Sequence, residues 1–191
     1  MTATKTPFGF EPARRQGGGV ANQGMNRYAI NNGYASNIFY GDPVALSSGF
    51  VIQSSVSSDK ALGVFAGCVF NNPTNGNQPT YSRYWPTGTS VTDGSQPYAW
   101  VIDSPHETFF IQADASISIG AVGLNYPVSL GTAATVTNGR SAYLLKAASS
   151  TGSQLVQVVD IKQTPDNAWS DAFTIVEVKW VQHRNAYTSA A

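Results

Sequence analysis

Charge is scarce in this chain. Eleven Lys and Arg face eleven Asp and Glu in 191 residues, so only 12% of the chain is charged, about half the usual quarter of a soluble domain. Such a balance provides no cluster of cations for a phosphate backbone, so nucleic acid is not an expected partner. It also leaves little self-repulsion between copies, which suits close packing against neighbours and suits a neutral monomer equally well. Cysteine is nearly absent. Cys68 stands alone, which rules out an internal disulfide, and its setting Leu62-Gly63-Val64-Phe65-Ala66-Gly67-Cys68-Val69-Phe70 predicts a buried, inert thiol. No run approaches the roughly 18 apolar residues of a membrane-spanning helix, so no membrane partner is expected. The first seven residues, Met1-Thr2-Ala3-Thr4-Lys5-Thr6-Pro7, lack the apolar stretch of a secretion signal, so synthesis in a cytoplasm is expected.

Catalytic patterns are missing too. Gly19-x-x-x-x-Gly24 has the spacing of a phosphate-binding loop, but Met25 and Asn26 follow where Lys and Ser or Thr would hold phosphate and magnesium. Histidine occurs only at His106 and His183, too few for a zinc site with a single cysteine and no Cys-x-x-Cys or His-x-x-x-His spacing. Asp103-Ser104-Pro105-His106-Glu107 gathers acid, hydroxyl and imidazole, yet neighbours in a Pro-containing turn fan outward rather than converge. That segment reads as the turn between two strands. Carboxylate pairs drawn from Asp103, Glu107, Asp114 and Asp160 have no spacing to recommend them, and no calcium loop is present. No catalytic residue, metal or cofactor is therefore expected.

What is present is β structure. Hydrophobic residues make up 42% of the chain and aromatics 12%, enough for a real core. Short runs of Val, Ile, Tyr, Phe and Thr predict strands at Tyr28–Ile30, Ile38–Tyr40, Val44–Leu46, Phe50–Gln53 and Gly63–Phe70. Further strands are predicted at Ala99–Ile102, Thr108–Ala113, Tyr126–Leu130, Gln154–Ile161 and Phe173–Val181. Asn32-Gly33, Asn75-Gly76, Asp93-Gly94 and Asn138-Gly139 supply tight turns. No apolar helical period lasts three turns, leaving room only for a short helix near Ala142–Ala148 or Asn167–Ala172. Gly41-Asp42-Pro43-Val44-Ala45-Leu46 and Asn125-Tyr126-Pro127-Val128-Ser129-Leu130 read alike, a possible pair of equivalent hairpins. The expectation is an all-β chain, a compact barrel or sandwich-like body over 28–184 with little helix and a flexible tail at 185–191.

Residues 1–27 differ from the body. Pro7, Pro12 and Gly17-Gly18-Gly19 argue against a helix or a central strand. Phe8, Phe10, Arg14 and Arg15 nevertheless give the segment groups worth burying or pairing, which a purely flexible tail would lack. It reads as an extended arm that orders on a partner; the alternative is an arm folded back on its own body. Asn71–Tyr84 reads as a long polar loop ending in Trp85-Pro86. Its aromatics Tyr81, Tyr84 and Trp85 suit docking on a partner, or capping of the chain's own body. The candidate partner-binding residues are thus Phe8, Phe10, Arg14, Arg15, Tyr84 and Trp85. Trp85, Trp100, Trp169 and Trp180 also admit sugar stacking, so a carbohydrate-binding or tail-associated receptor module is the alternative function.

Pro7-Phe8-Gly9-Phe10-x-Pro12, Arg27-Tyr28-x-Ile30, Gly33-Tyr34-Ala35 and Ile38-Phe39-Tyr40-Gly41-Asp42-Pro43-Val44, with Leu62–Cys68, Tyr84-Trp85-Pro86 and Pro165-Asp166-Asn167, resemble a family of small virion structural proteins of tailed bacteriophages. Its members are capsid-stabilising, cement or decoration proteins. The resemblance implies a β-rich, often trimeric protein on the outside of the phage head, bridging neighbouring major capsid subunits with terminal arms. The expected partner is accordingly the major capsid protein and the expected location the virion surface.

Overall fold

The computed structural model describes residues 4–16, 19–20, 24–54, 60–131, 138–148 and 154–185. Its strands in chain order begin with β1 (Glu11–Arg15), β2 (Gly19–Val20), β3 (Met25–Ala29), β4 (Ile38–Phe39), β5 (Pro43–Ser47) and β6 (Phe50–Gln53). There follow β7 (Gly63–Asn72), β8 (Gln78–Ser82), β9 (Tyr84–Trp85), β10 (Tyr98–Ile102) and β11 (Glu107–Gln112). The last are β12 (Asn125–Tyr126), β13 (Val128–Leu130), β14 (Tyr143–Leu145), β15 (Val156–Ile161) and β16 (Ile175–Trp180). Two 3-10 turns, Pro73–Asn75 and Ile119–Ala121, are the helical elements among the described residues. The chain is all-β and sandwich-like, with little helix.

One six-stranded sheet runs β12-β15-β16-β11-β1-β2, and a second runs β3-β10-β7-β5-β6 with β8 added on β7. The ladders between named strands are antiparallel. The second sheet divides two cores because alternate side chains of a strand face opposite ways. From β7 and β10, Val64 and Ile102 join Phe109, Ile111, Val176, Val178 and Trp180 of the first sheet. Phe65 and Val101 point the other way, to Ile30, Ile38, Val44, Val51 and Trp85.

A strict two-residue period would then turn Cys68 and Phe70 away from Phe65, yet all three lie in the second core. The register explains this. Trp100 pairs with Gly67 and Val101 with Phe65, so Ala66 has no opposite number. Such a bulge shifts the parity of everything beyond it. Gly67 holds φ +140, and a Cβ there would meet the Ser82 carbonyl at 3.0 Å, so the bulge needs glycine. Val159 is skipped in the same way between β15 and β16, which keeps Val156, Val158 and Ile161 all buried.

Several expectations are corrected. Residues 4–16 lie along the body rather than reaching away from it. Glu11 pairs with Phe110 and Pro12 with Phe109, while the side-chain amide of Gln112 bonds both Thr6 N and the Thr4 carbonyl. Met25–Ala29 is an edge strand on β10. The Asn71–Tyr84 loop is mostly hairpin, with Cys68 opposite Ser82 and Asn72 opposite Gln78; Pro79 is tolerated because β8 is an edge. A helix at 142–148 gives way to β14, whose Tyr143, Leu144 and Leu145 are all buried, and 167–172 forms turns. Pro43-Val44-x-Leu46 opens the β5–β6 hairpin. Pro127-Val128-x-Leu130 instead pairs with β14, and its counterpart strand at 135–137 lies outside the described residues. So do residues 186–191 of the expected tail.

Candidate interaction surface and polar centres

The chain's own cores take two of the six predicted contact residues. Phe10 is fully buried, stacked on Trp180 at 5.0 Å and edge-on to Phe109 at 5.9 Å. Trp85 is fully buried in the second core, edge-on to Phe70 at 5.3 Å. Neither offers a face to a partner in this fold, because each buries a large apolar ring that the chain has other segments to cover. Arg14 extends from β1 and donates from Nε to the buried Glu177 carboxylate at 2.7 Å. Arg15 is exposed at the end of the same strand.

Phe8 and Tyr84, distant in sequence, come into one neighbourhood. The Arg140 guanidinium lies 5.4 Å from the Phe8 ring centre. A Cβ on the preceding Gly139 would touch Tyr84 at 3.3 Å. Tyr84 stacks on Phe39 at 5.8 Å, and Arg83 caps Tyr40 at 4.9 Å. This half-buried aromatic group with two exposed arginines is the part of the predicted contact set that the fold assembles.

Sequence reasoning missed a different surface. The turn after Asp114 projects Ile119, Val122 and Leu124, which are 68%, 45% and 43% exposed. Leu130, half-exposed at the end of β13, lies further along the same stretch. None of residues 115–139 carries a charge. Large apolar side chains grouped within six residues on an uncharged segment mark an interaction surface more often than scattered single ones do. The signal was available as that long uncharged stretch. It was hidden because Ile117 and Ala121, interleaved with the exposed residues, are buried.

The polar residues form structural knots. Asp103 accepts from Asn26 Nδ2 at 2.9 and 3.0 Å and from the Tyr28 hydroxyl. It also receives a long contact from Asn185 Nδ2 at 3.5 Å. One carboxylate thus ties β3, β10 and the C-terminal segment together, and burial with the Asp103 bond pushes the Tyr28 hydroxyl up to about 12. Asp103 to Glu107 forms the turn between β10 and β11: Glu107 N donates to Ser104 O at 3.3 Å, and His106 is exposed. His183 is buried and its Nδ1 accepts from Asn185 N at 3.0 Å; burial lowers its pKa to about 4. Its ring lies 6.1 Å from Trp180.

His183 Nε2, Trp180 Nε1 and both Glu107 carboxylate oxygens are buried without a hydrogen-bond partner. Glu107 falls opposite Trp180 by continuation of the Thr108–Lys179 register, so these polar atoms border the same end of the first core. Cys68 is buried, donates from Sγ to the Tyr84 carbonyl at 3.3 Å, and has its pKa raised by burial to about 12. It is an unreactive thiol at neutral pH. Among the described residues no three His, Cys, Asp or Glu side chains gather as metal ligands.

Comparison of the chain with protein-family models, with curated proteins and with solved structures found no match in any of the three.

Proposed function

We propose that the protein is a virion structural component, a cement or decoration protein that adheres to the outside of a tailed-phage head and bridges neighbouring major capsid subunits. The observation that carries the reading is the uncharged apolar projection Ile119–Leu124, a surface suited to seating on another protein. Its motifs add the resemblance already described. Charge poverty over the whole chain lets many copies pack side by side without repulsion. Modest affinity at each contact suffices when one molecule, or a homotrimer of it, engages several subunits at once. The arm mechanism drops out of the proposal for residues 4–16, which lie along the body and pair with β11; adhesion is assigned to the projection, with the Phe8–Arg140–Tyr84 neighbourhood as a second contact.

Quantitative mass spectrometry of purified virions from the phage that encodes the chain tests the proposal. A copy number in simple proportion to the major capsid protein is expected, together with co-sedimentation of added protein with shells lacking it. Absence from virions, combined with failure to sediment with shells, would overturn it.

A further inference from the structure

We propose that a cleft between the β7–β8 turn and the loop 86–92 binds a neutral carbohydrate, a property separate from adhesion to a shell. The cleft has a volume of about 480 Å³, within the roughly 300–1,000 Å³ of small-molecule sites. Its floor is apolar and rigid: Phe70 is buried and braced edge-on by Trp85 at 5.3 Å, with Pro73 and Pro86 beside it. Its rim is hydroxyl and amide, from Asn72, Thr87 and Ser90 among others, and every lining residue is uncharged.

The rim is built so that polar atoms remain for a ligand. Asn72 Oδ1 is occupied by Thr74 N and Oγ1 at 3.0 and 2.7 Å, which fixes the amide with its Nδ2 donor available. Thr89 spends its hydroxyl on the Pro86 carbonyl at 2.9 Å. The loop backbone is pinned from beneath: Thr87 N donates to Asn37 Oδ1 at 2.8 Å, Gly88 N to Tyr34 O at 2.9 Å, and Val91 N to Asn32 Oδ1 at 2.7 Å. The exposed side-chain hydroxyls of Thr87 and Ser90 take part in none of these bonds. A loop held in place before binding avoids an ordering cost when the ligand arrives.

The lining selects the ligand class by elimination. A phosphate or carboxylate would meet no counter-charge here, and burying it unpaired is costly. A wholly apolar ligand would strip water from the Thr and Ser hydroxyls without replacing it. A sugar ring has both surfaces required, C–H faces for Phe70 and the prolines and hydroxyls for the rim. Display of many copies would multiply weak single-site binding.

The test uses the isolated full-length chain, so its outcome does not depend on shell adhesion. Saturation-transfer NMR and titration would screen neutral hexose and N-acetylhexosamine oligosaccharides, with sialylated and sulfated glycans and proline-rich peptides as comparison arms. Binding of at least one neutral oligosaccharide is expected. Thr87→Ala with Ser90→Ala should weaken it about tenfold, the loss of two modest hydrogen bonds, at unchanged Tm. The proposal is overturned if no neutral oligosaccharide binds at millimolar concentration, if only charged glycans or peptides bind, or if the double variant binds as the parent does.

Discussion

Gly9 shows how one residue decides where a segment goes. It adopts φ +72, and a Cβ there would collide with the Ser141 side chain and lie 2.6 Å from the Gly41 carbonyl. The turn it allows lets Phe10 N donate to Gly41 O at 2.9 Å and drops the Phe10 ring into the first core. Pro7-Phe8-Gly9-Phe10 and Gly41-Asp42-Pro43, read separately in the sequence, are two halves of one junction. Gly9→Ala combines left-handed strain with a backbone clash, so a loss on the order of 2–3 kcal/mol is expected in urea unfolding. Asp42 sits beside this junction, fully buried, with Oδ2 accepting from Phe39 N at 2.9 Å and Gln53 Nε2 at 3.0 Å. Burial raises its pKa from 3.8 to about 6. A raised folded pKa gives stability that is full below the unfolded value and lost as pH climbs through about 6. Asp42→Asn removes that dependence. Relative to wild type, the variant should gain about 3 kcal/mol between pH 4 and pH 8, and parallel unfolding curves at both values would refute the assignment. His183 acts in the opposite sense: its depressed pKa gives stability that is full above 6.5 and lost as pH falls through about 4.

At the scale of elements, β1 ties the N-terminal segment to the first sheet by pairing with β11. Its sequence predicts an arm because Pro12 and the following glycines carry no strand alternation, and Pro12 does sit in an irregular stretch of ladder before Arg15. Its holding power comes from Phe10 just before it and from the Arg14–Glu177 bond. Phe10→Ala should cost about 3–5 kcal/mol, as for other large core aromatics, and thermal unfolding would measure it. A fall under 1 kcal/mol would show that Phe10 is peripheral to the core. Deleting residues 1–16 is consequently expected to unfold the first sheet, so loss of shell binding by such a truncation would report on folding. Strand runs with β-branched residues were the legible elements: Phe50–Gln53 and Ala99–Ile102 fall where predicted, β10 starting one residue earlier. β14 was not legible, because Tyr143-Leu144-Leu145 is a short continuous apolar run that periodicity cannot assign.

For the whole molecule, function separates from stability. Ile119 and Leu124 keep 68% and 43% of their surface in water, so Ile119→Asp with Leu124→Asp removes only part of a side chain's burial at each site. The double variant should keep its Tm within a few degrees, since surface changes usually stay within about 0.5 kcal/mol each, yet lose co-sedimentation with shells. Retained binding would move adhesion to another face. The tryptophans set a further limit on function. Trp85 and Trp180 are buried, so neither serves as a sugar platform, whereas Trp100 and Trp169 are half-buried.

Local composition by itself determined the β character, the turn pairs and the inert thiol. Gly33, Gly76, Gly94 and Gly139 all take positive φ at the predicted turns, and Cys68 lies in an apolar strand. These depend on neighbours in sequence, through backbone sterics and short-range alternation. Only the tertiary structure decided which apolar side chains face water. Phe10 and Trp85 are enclosed while Ile119 and Leu124 are not, although their types alone would rank them alike. Exposure is set by which distant segment lies on top, and bulges at Ala66 and Val159 reverse the parity by which a strand's inner face would be read.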